Sequence, residues 1–98
     1  MSLQHDEVFQ NRDERIAQMI FSLLSKRQPL SSICPSEVAR ALAHTDAGWR
    51  ALMPRVRAVA VQLAQSGHLQ VTQRGAPVDP AGARGPIRLR LPPQGKPT

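Results

Sequence analysis

The stretch SGHLQVTQRGAPVDPAGARGPIRLRL, residues 66–91, decides how the rest of the chain is read. In HLQVTQ, Leu69 and Val71 alternate with polar residues, and in PIRLRL, Ile87, Leu89 and Leu91 alternate with Arg88 and Arg90. Alternation of period two is the signature of a strand with one buried face. Between the runs lie Gly75, Pro77, Pro80, Gly82, Gly85 and Pro86, residues that leave a loop little regular structure. We therefore expect strand, loop of about a dozen residues, strand, forming an antiparallel pair with Leu69, Val71, Ile87 and Leu89 turned inward.

Upstream, the apolar period changes to that of a helix. In DERIAQMIFSLLSKR, Ile16, Met19, Ile20, Leu23 and Leu24 fall at i, i+3, i+4, i+7 and i+8, one stripe of an amphipathic helix. Asp13 and Glu14 near its start and Lys26 and Arg27 near its end suit the helix dipole. Asn11 with Glu14 offers a capping pair, Val8 and Phe9 offer a backward extension, and Pro29 disfavours helix at Gln28. Ile33 is placed for a brief extended pairing. Pro35 then suits the first turn of a short helix that buries Val38, Ala39 and Leu42.

A third helical segment follows in HTDAGWRALMPRVRAVAVQLAQSG, with Val56, Val59, Ala60 and Leu63 as its buried stripe. Asp46 is expected to cap it and Gly67 to close it in the left-handed conformation. Pro54 interrupts the pattern. It predicts a short helix over 47–52 and a kink before the main helix.

Helix, short strand, helix, helix, strand, loop, strand is the winged-helix order, so the expected fold is mainly α with a small β-hairpin. We divide the chain into an N-terminal extension (1–11), the domain itself (12–91) and a disordered Pro-rich tail (92–98). The segments ICPSEVARAL (33–42), WRALMPRVRAVAVQLAQSG (49–67) and GPIRLRL (85–91) resemble the core motifs of an uncharacterised bacterial family of small winged-helix-like domains. That resemblance covers about residues 12–91; it implies the fold and carries no activity with it.

Composition narrows the function. The 98 residues suffice for one core. A single cysteine excludes an internal disulfide and cannot build a zinc site alone, and His5, His44 and His68 lack metal spacing. No apolar run approaches a membrane span, and the N-terminus lacks a signal pattern, so a cytoplasmic location is expected. Nothing in the seven scattered acids suggests a catalytic constellation, and no Gly-rich phosphate loop precedes a helix. No enzyme activity, metal or cofactor is expected.

The formal charge of +6 is uneven. Residues 1–37 hold five acids and four bases, while the remainder holds two acids and nine bases, eight of them arginine. Such a bias favours an anionic partner, with duplex DNA first and an acidic protein as the alternative. Arg50, Arg55 and Arg57 near the start of the third helix, with Arg74 and Arg84 at the wing, are the candidate nucleic-acid contacts, since guanidinium forks grip phosphate or guanine bidentately. The competing account is a solvated helix face, with Arg50 paired to Asp46 or Glu37. Trp49 is expected to plug the core, Cys34 to be a small, partly buried helix-start residue, and Arg88 and Arg90 to be mainly solvated.

Overall fold

The stripe Ile16, Ile20 and Leu24 is buried along a first helix, α1 (Leu3–Ser25), with Met19 and Leu23 partly buried beside it. The structure, a computed structural model, describes residues 3–28 and 31–93, with side chains from residue 12 onward. The helix runs back to Leu3 and through Asn11, so Asn11 is an interior residue and not a cap. At its other end it stops at Ser25, two residues short of Arg27; Ser25 Oγ donates to the Ser22 carbonyl at 2.8 Å. Pro29 and the last residues of the Pro-rich tail (94–98) lie outside the described residues.

Next come β1 (Ser32–Ile33), α2 (Pro35–Leu42) and α3 (Asp46–Gln65). Pro35 occupies the first turn of α2, where its missing N–H costs nothing. Glu37 accepts the Cys34 backbone N–H at 3.0 Å, so this end of α2 is closed by its own side chain. Glu37 also forms an ion pair with Arg27, which ties the end of α1 to α2.

Two expectations for α3 are corrected. Thr45, not Asp46, is the N-cap: Gly48 N–H donates to Thr45 Oγ1 at 3.0 Å, and Asp46 is already helical. The expected break before Pro54 is absent, and α3 runs uninterrupted from Asp46 to Gln65 with Pro54 inside it. The proline removes the donor that would have reached the Arg50 carbonyl. Both residues are exposed, so water can take that acceptor, while Leu52 and Met53 before it and Val56 and Val59 after it pack on the same core. Packing on both sides holds the axis across the missing bond. Gly67 (φ +84) then ends the helix in the expected left-handed conformation.

The final third makes a sheet with β2 (Gln70–Gln73), β3 (Ala76–Pro77) and β4 (Arg88–Arg90), in the order β1-β4-β2-β3, all antiparallel. Leu89 on the central β4 stands between Ile33 and Val71, and Leu69, Val71, Ile87 and Leu89 are all buried, as the alternation predicts. The described residues thus form three helices with a small four-stranded antiparallel sheet, and their apolar faces share one core.

The loop differs from its expectation. Instead of a dozen irregular residues it opens with a tight hairpin, in which Gln73 pairs with Ala76 across Arg74 and Gly75. Both turn residues have positive φ, +54 and +82, the requirement of a type I′ turn. Glycine adopts that conformation freely, but arginine does so at a cost of about 1 kcal/mol. Arg74→Asn should therefore raise stability by up to about 1 kcal/mol, since asparagine tolerates the left-handed region. Urea unfolding checks it; a lower midpoint would mean that the Arg74 side chain holds the hairpin together.

The remainder of the loop is also held. Ala81 N–H donates to Asp79 Oδ1 at 3.1 Å, forming a local turn. Gln73 Nε2 donates to the carbonyls of Arg84 (2.6 Å) and Pro86 (3.1 Å), and Val78 and Ala83 pack on the core. These tethers fix where Arg84 sits.

Candidate functional site

The five arginines singled out from the sequence divide into groups. On α3, Arg50 and Arg57 are seven residues apart, which brings them within about 20° of each other around the helix. Arg57 donates to the Gly85 carbonyl at 3.2 Å, so this face of α3 is linked to the loop that carries Arg84. Arg74 and Arg84 in turn line one concavity, together with Arg88. Arg50 and Arg57 thus share one side of α3, Arg57 is bonded to the loop that carries Arg84, and Arg74 and Arg84 share a concavity on the hairpin side.

Arg55 does not join them. Five residues after Arg50 it points about 140° away around the helix, and its Nε lies 2.9 Å from Asp13 Oδ1 on α1. This is a close charge contact rather than an aligned hydrogen bond; the Arg55 side chain is exposed and that of Asp13 partly so, although Oδ1 itself is covered, so the pair is worth about 1 kcal/mol at most. It orients Arg55 toward α1, away from the other four.

Trp49 is corrected as well. It packs against the core only in part, and its ring carries Arg40 at 4.4 Å and Arg50 at 5.0 Å from the centroid. The indole is half-buried against the core, and its ring also serves as a platform for the two guanidinium groups. Arg50 is therefore held by Trp49 and not by Asp46 or Glu37. Arg40 was missed in the sequence; its signal was its place in the last turn of α2, opposite the turn that leads to Trp49. Arg40, His44, Asp46, Trp49 and Arg50 surround a shallow depression at this corner.

Arg88 is exposed, as expected, and Arg90 is half-buried, which corrects the expectation for Arg90; both also hold structural hydrogen bonds that the sequence did not signal. Arg88 donates through Nε to Ser32 Oγ (2.7 Å) and through a terminal nitrogen to the Ser32 carbonyl (2.9 Å), clamping β1 onto β4. Arg90 donates to Gln70 Oε1 at 2.7 Å across the β2–β4 pair. An edge as short as β1 has few ladder bonds, so the side-chain clamp replaces them.

Electrostatics at the α1–α2 junction centre on Glu37. Partial burial alone would raise its pKa, but the Cys34 N–H, the Arg27 guanidinium and the charge of Arg88 together hold it below the ordinary 4.5. A carboxylate lowered in the folded state contributes stability that is full above its unfolded pKa and lost as pH falls through the folded value. Glu37→Gln should therefore flatten the loss of stability below about pH 4.5. Melting temperatures of both proteins from pH 7 down to 3 test this; curves that stay parallel below pH 4.5 would contradict it.

Cys34, the chain's one cysteine, is free, partly exposed and at the N-cap position of α2, as expected, and Ser36 Oγ donates to its sulfur at 3.1 Å. Among the described residues no helix is long and apolar enough to cross a membrane, and no group of three or more His, Cys, Asp or Glu could hold a metal ion.

Among the described residues the fold is three helices with an antiparallel sheet, with arginines exposed on α3 and arginines lining a concavity of the hairpin region. The chain belongs to the family described as Protein of unknown function (DUF3253), whose model matches residues 13–92. Membership of an uncharacterised family agrees with the resemblance carried by the three motif segments. No curated protein matches the chain.

Proposed function

We propose that this domain is a winged-helix module that binds nucleic acid, duplex DNA, without catalysing a reaction. The element order and the placement of β1 beside β4 and β4 beside β2 are compatible with that arrangement. In this reading α3 enters the major groove, and the hairpin with its following loop lies along the flanking backbone as the wing. The observation that carries it is the bond from Arg57 to the Gly85 carbonyl, which joins the Arg50–Arg57 face of α3 to the loop bearing Arg84. A helix and a loop fixed to each other can meet a groove and its phosphates together, with little ordering cost on binding.

The alternative is docking to an acidic protein. Trp49 between Arg40 and Arg50 favours it, because tryptophan and arginine are the residue types that dominate protein interfaces. Titration of a labelled random-sequence duplex by fluorescence anisotropy separates the two. Micromolar binding at about 50 mM salt that weakens steeply with added salt supports nucleic acid. Absence of binding by the folded protein at that salt removes it and leaves docking ahead.

A further inference from the structure

We propose that the concavity between the N-terminus of α2 and the hairpin region binds a small organic phosphate. It encloses about 690 Å³, within the range of small-molecule sites. Arg74, Arg84 and Arg88 line it, and no carboxylate does. Among the described residues, the side chains of Arg74 and Arg84 have no ion-pair or hydrogen-bond partner, so both guanidinium forks are available. Arg88 spends Nε and one terminal nitrogen on Ser32 and keeps the other terminal nitrogen. Glu37, close enough to feel the charge of Arg88, is already occupied by Arg27 and the Cys34 N–H, so it does not neutralise the site.

The rest of the lining sets what the phosphate is attached to. Val78, Pro86 and Ile87 give the site an apolar wall, beside Cys34. A bare inorganic ion would leave that wall facing water, whereas an ester with a compact organic body covers it. Three arginines lining one concavity match the two charges and several oxygens of a phosphate monoester better than one carboxylate, which a single fork satisfies. The position of Arg74 fits this role. A strained left-handed residue would more cheaply be asparagine or glycine, and the long cationic side chain is what the strain retains. Binding here does not depend on the nucleic-acid reading, although Arg74 and Arg84 serve both.

Cys34 supplies the readout, because it is the one cysteine and it lines the site. The full chain is reacted with neutral 4,4′-dithiodipyridine while adenosine 5′-monophosphate or glycerol 3-phosphate is titrated, with sodium chloride matching the ionic strength. Reaction of the empty site alone predicts a rate that falls about ten-fold when the ester reaches ten times its Kd. Arg74→Asn, which should fold at least as well as the parent, and Arg84→Gln should each abolish most of the protection. Arg50→Ala, outside the concavity, should leave protection intact while weakening duplex binding, so the two readings fail separately. The proposal is overturned if neither ester protects Cys34 beyond the chloride control, whatever duplex DNA does, or if Arg74→Asn and Arg84→Gln are protected like the parent.

Discussion

Leu89→Asp is expected to unfold the domain or to cost it on the order of 3 kcal/mol or more, the penalty of an unpaired buried charge. Leu89 has no exposed surface, and its cross-strand neighbours Ile33 and Val71 are buried as completely. The two arginines that flank it on β4 face the other side of the sheet and are already engaged, Arg88 by Ser32 and Arg90 by Gln70, so no cation can follow the carboxylate inward. For a domain of this size 1 kcal/mol shifts the melting temperature by about 4–8 °C, which predicts a drop of roughly 12 °C or more. Leu89→Ala is the graded control and should cost about 2–5 kcal/mol through the cavity it leaves. Thermal melts followed by circular dichroism read both. A Leu89→Asp protein melting within about 2 °C of the parent would mean that this face does not carry the core.

The second large effect is on duplex binding. If Arg50, Arg57, Arg74 and Arg84 each neutralise one phosphate, log affinity against log salt should have a slope of about −3.6, four contacts at −0.9 each. Arg50→Ala, Arg57→Ala and Arg84→Ala should each shrink that slope by about one unit, and the triple variant should retain a slope near −1 and bind too weakly to measure at physiological salt. Arg57→Ala should in addition loosen the loop, because it removes the bond to Gly85. Arg55→Ala is the internal control. Its side chain leans on Asp13 across α1, so its removal should leave the slope unchanged. A slope that falls equally for Arg55→Ala and Arg57→Ala would show that binding follows total charge, and would remove the assignment of a face. Arg88→Ala should act differently again, releasing β1 from β4 and lowering stability.

Sequence by itself determined the helical segments and the two alternating strands, because each follows from a local period or a local stop, whereas β3 and the unbroken run of α3 did not. The 3.6-residue spacing of Ile16, Ile20 and Leu24 marks one helix face, Pro35 starts α2, Gly67 ends α3, and the alternation around Val71 and Leu89 sets which strand face is buried. The Arg74–Gly75 turn was half legible: Gly75 signalled it, but arginine is a poor partner for a type I′ turn and hid the other half. Tertiary structure alone decided whether α3 survives Pro54, since residues on both sides had to find the same core. It also decided what each arginine does. Arg55 meets Asp13, Arg57 meets Gly85 and Arg88 meets Ser32, all partners far along the chain. An arginine side chain is long, flexible and always charged, so its type fixes only that it will seek an acceptor. Which acceptor, or none, depends on what the folded elements bring within reach of its fork. That is why the basic character of the C-terminal two-thirds could be read from composition, while the separation of Arg55 from Arg57 could not.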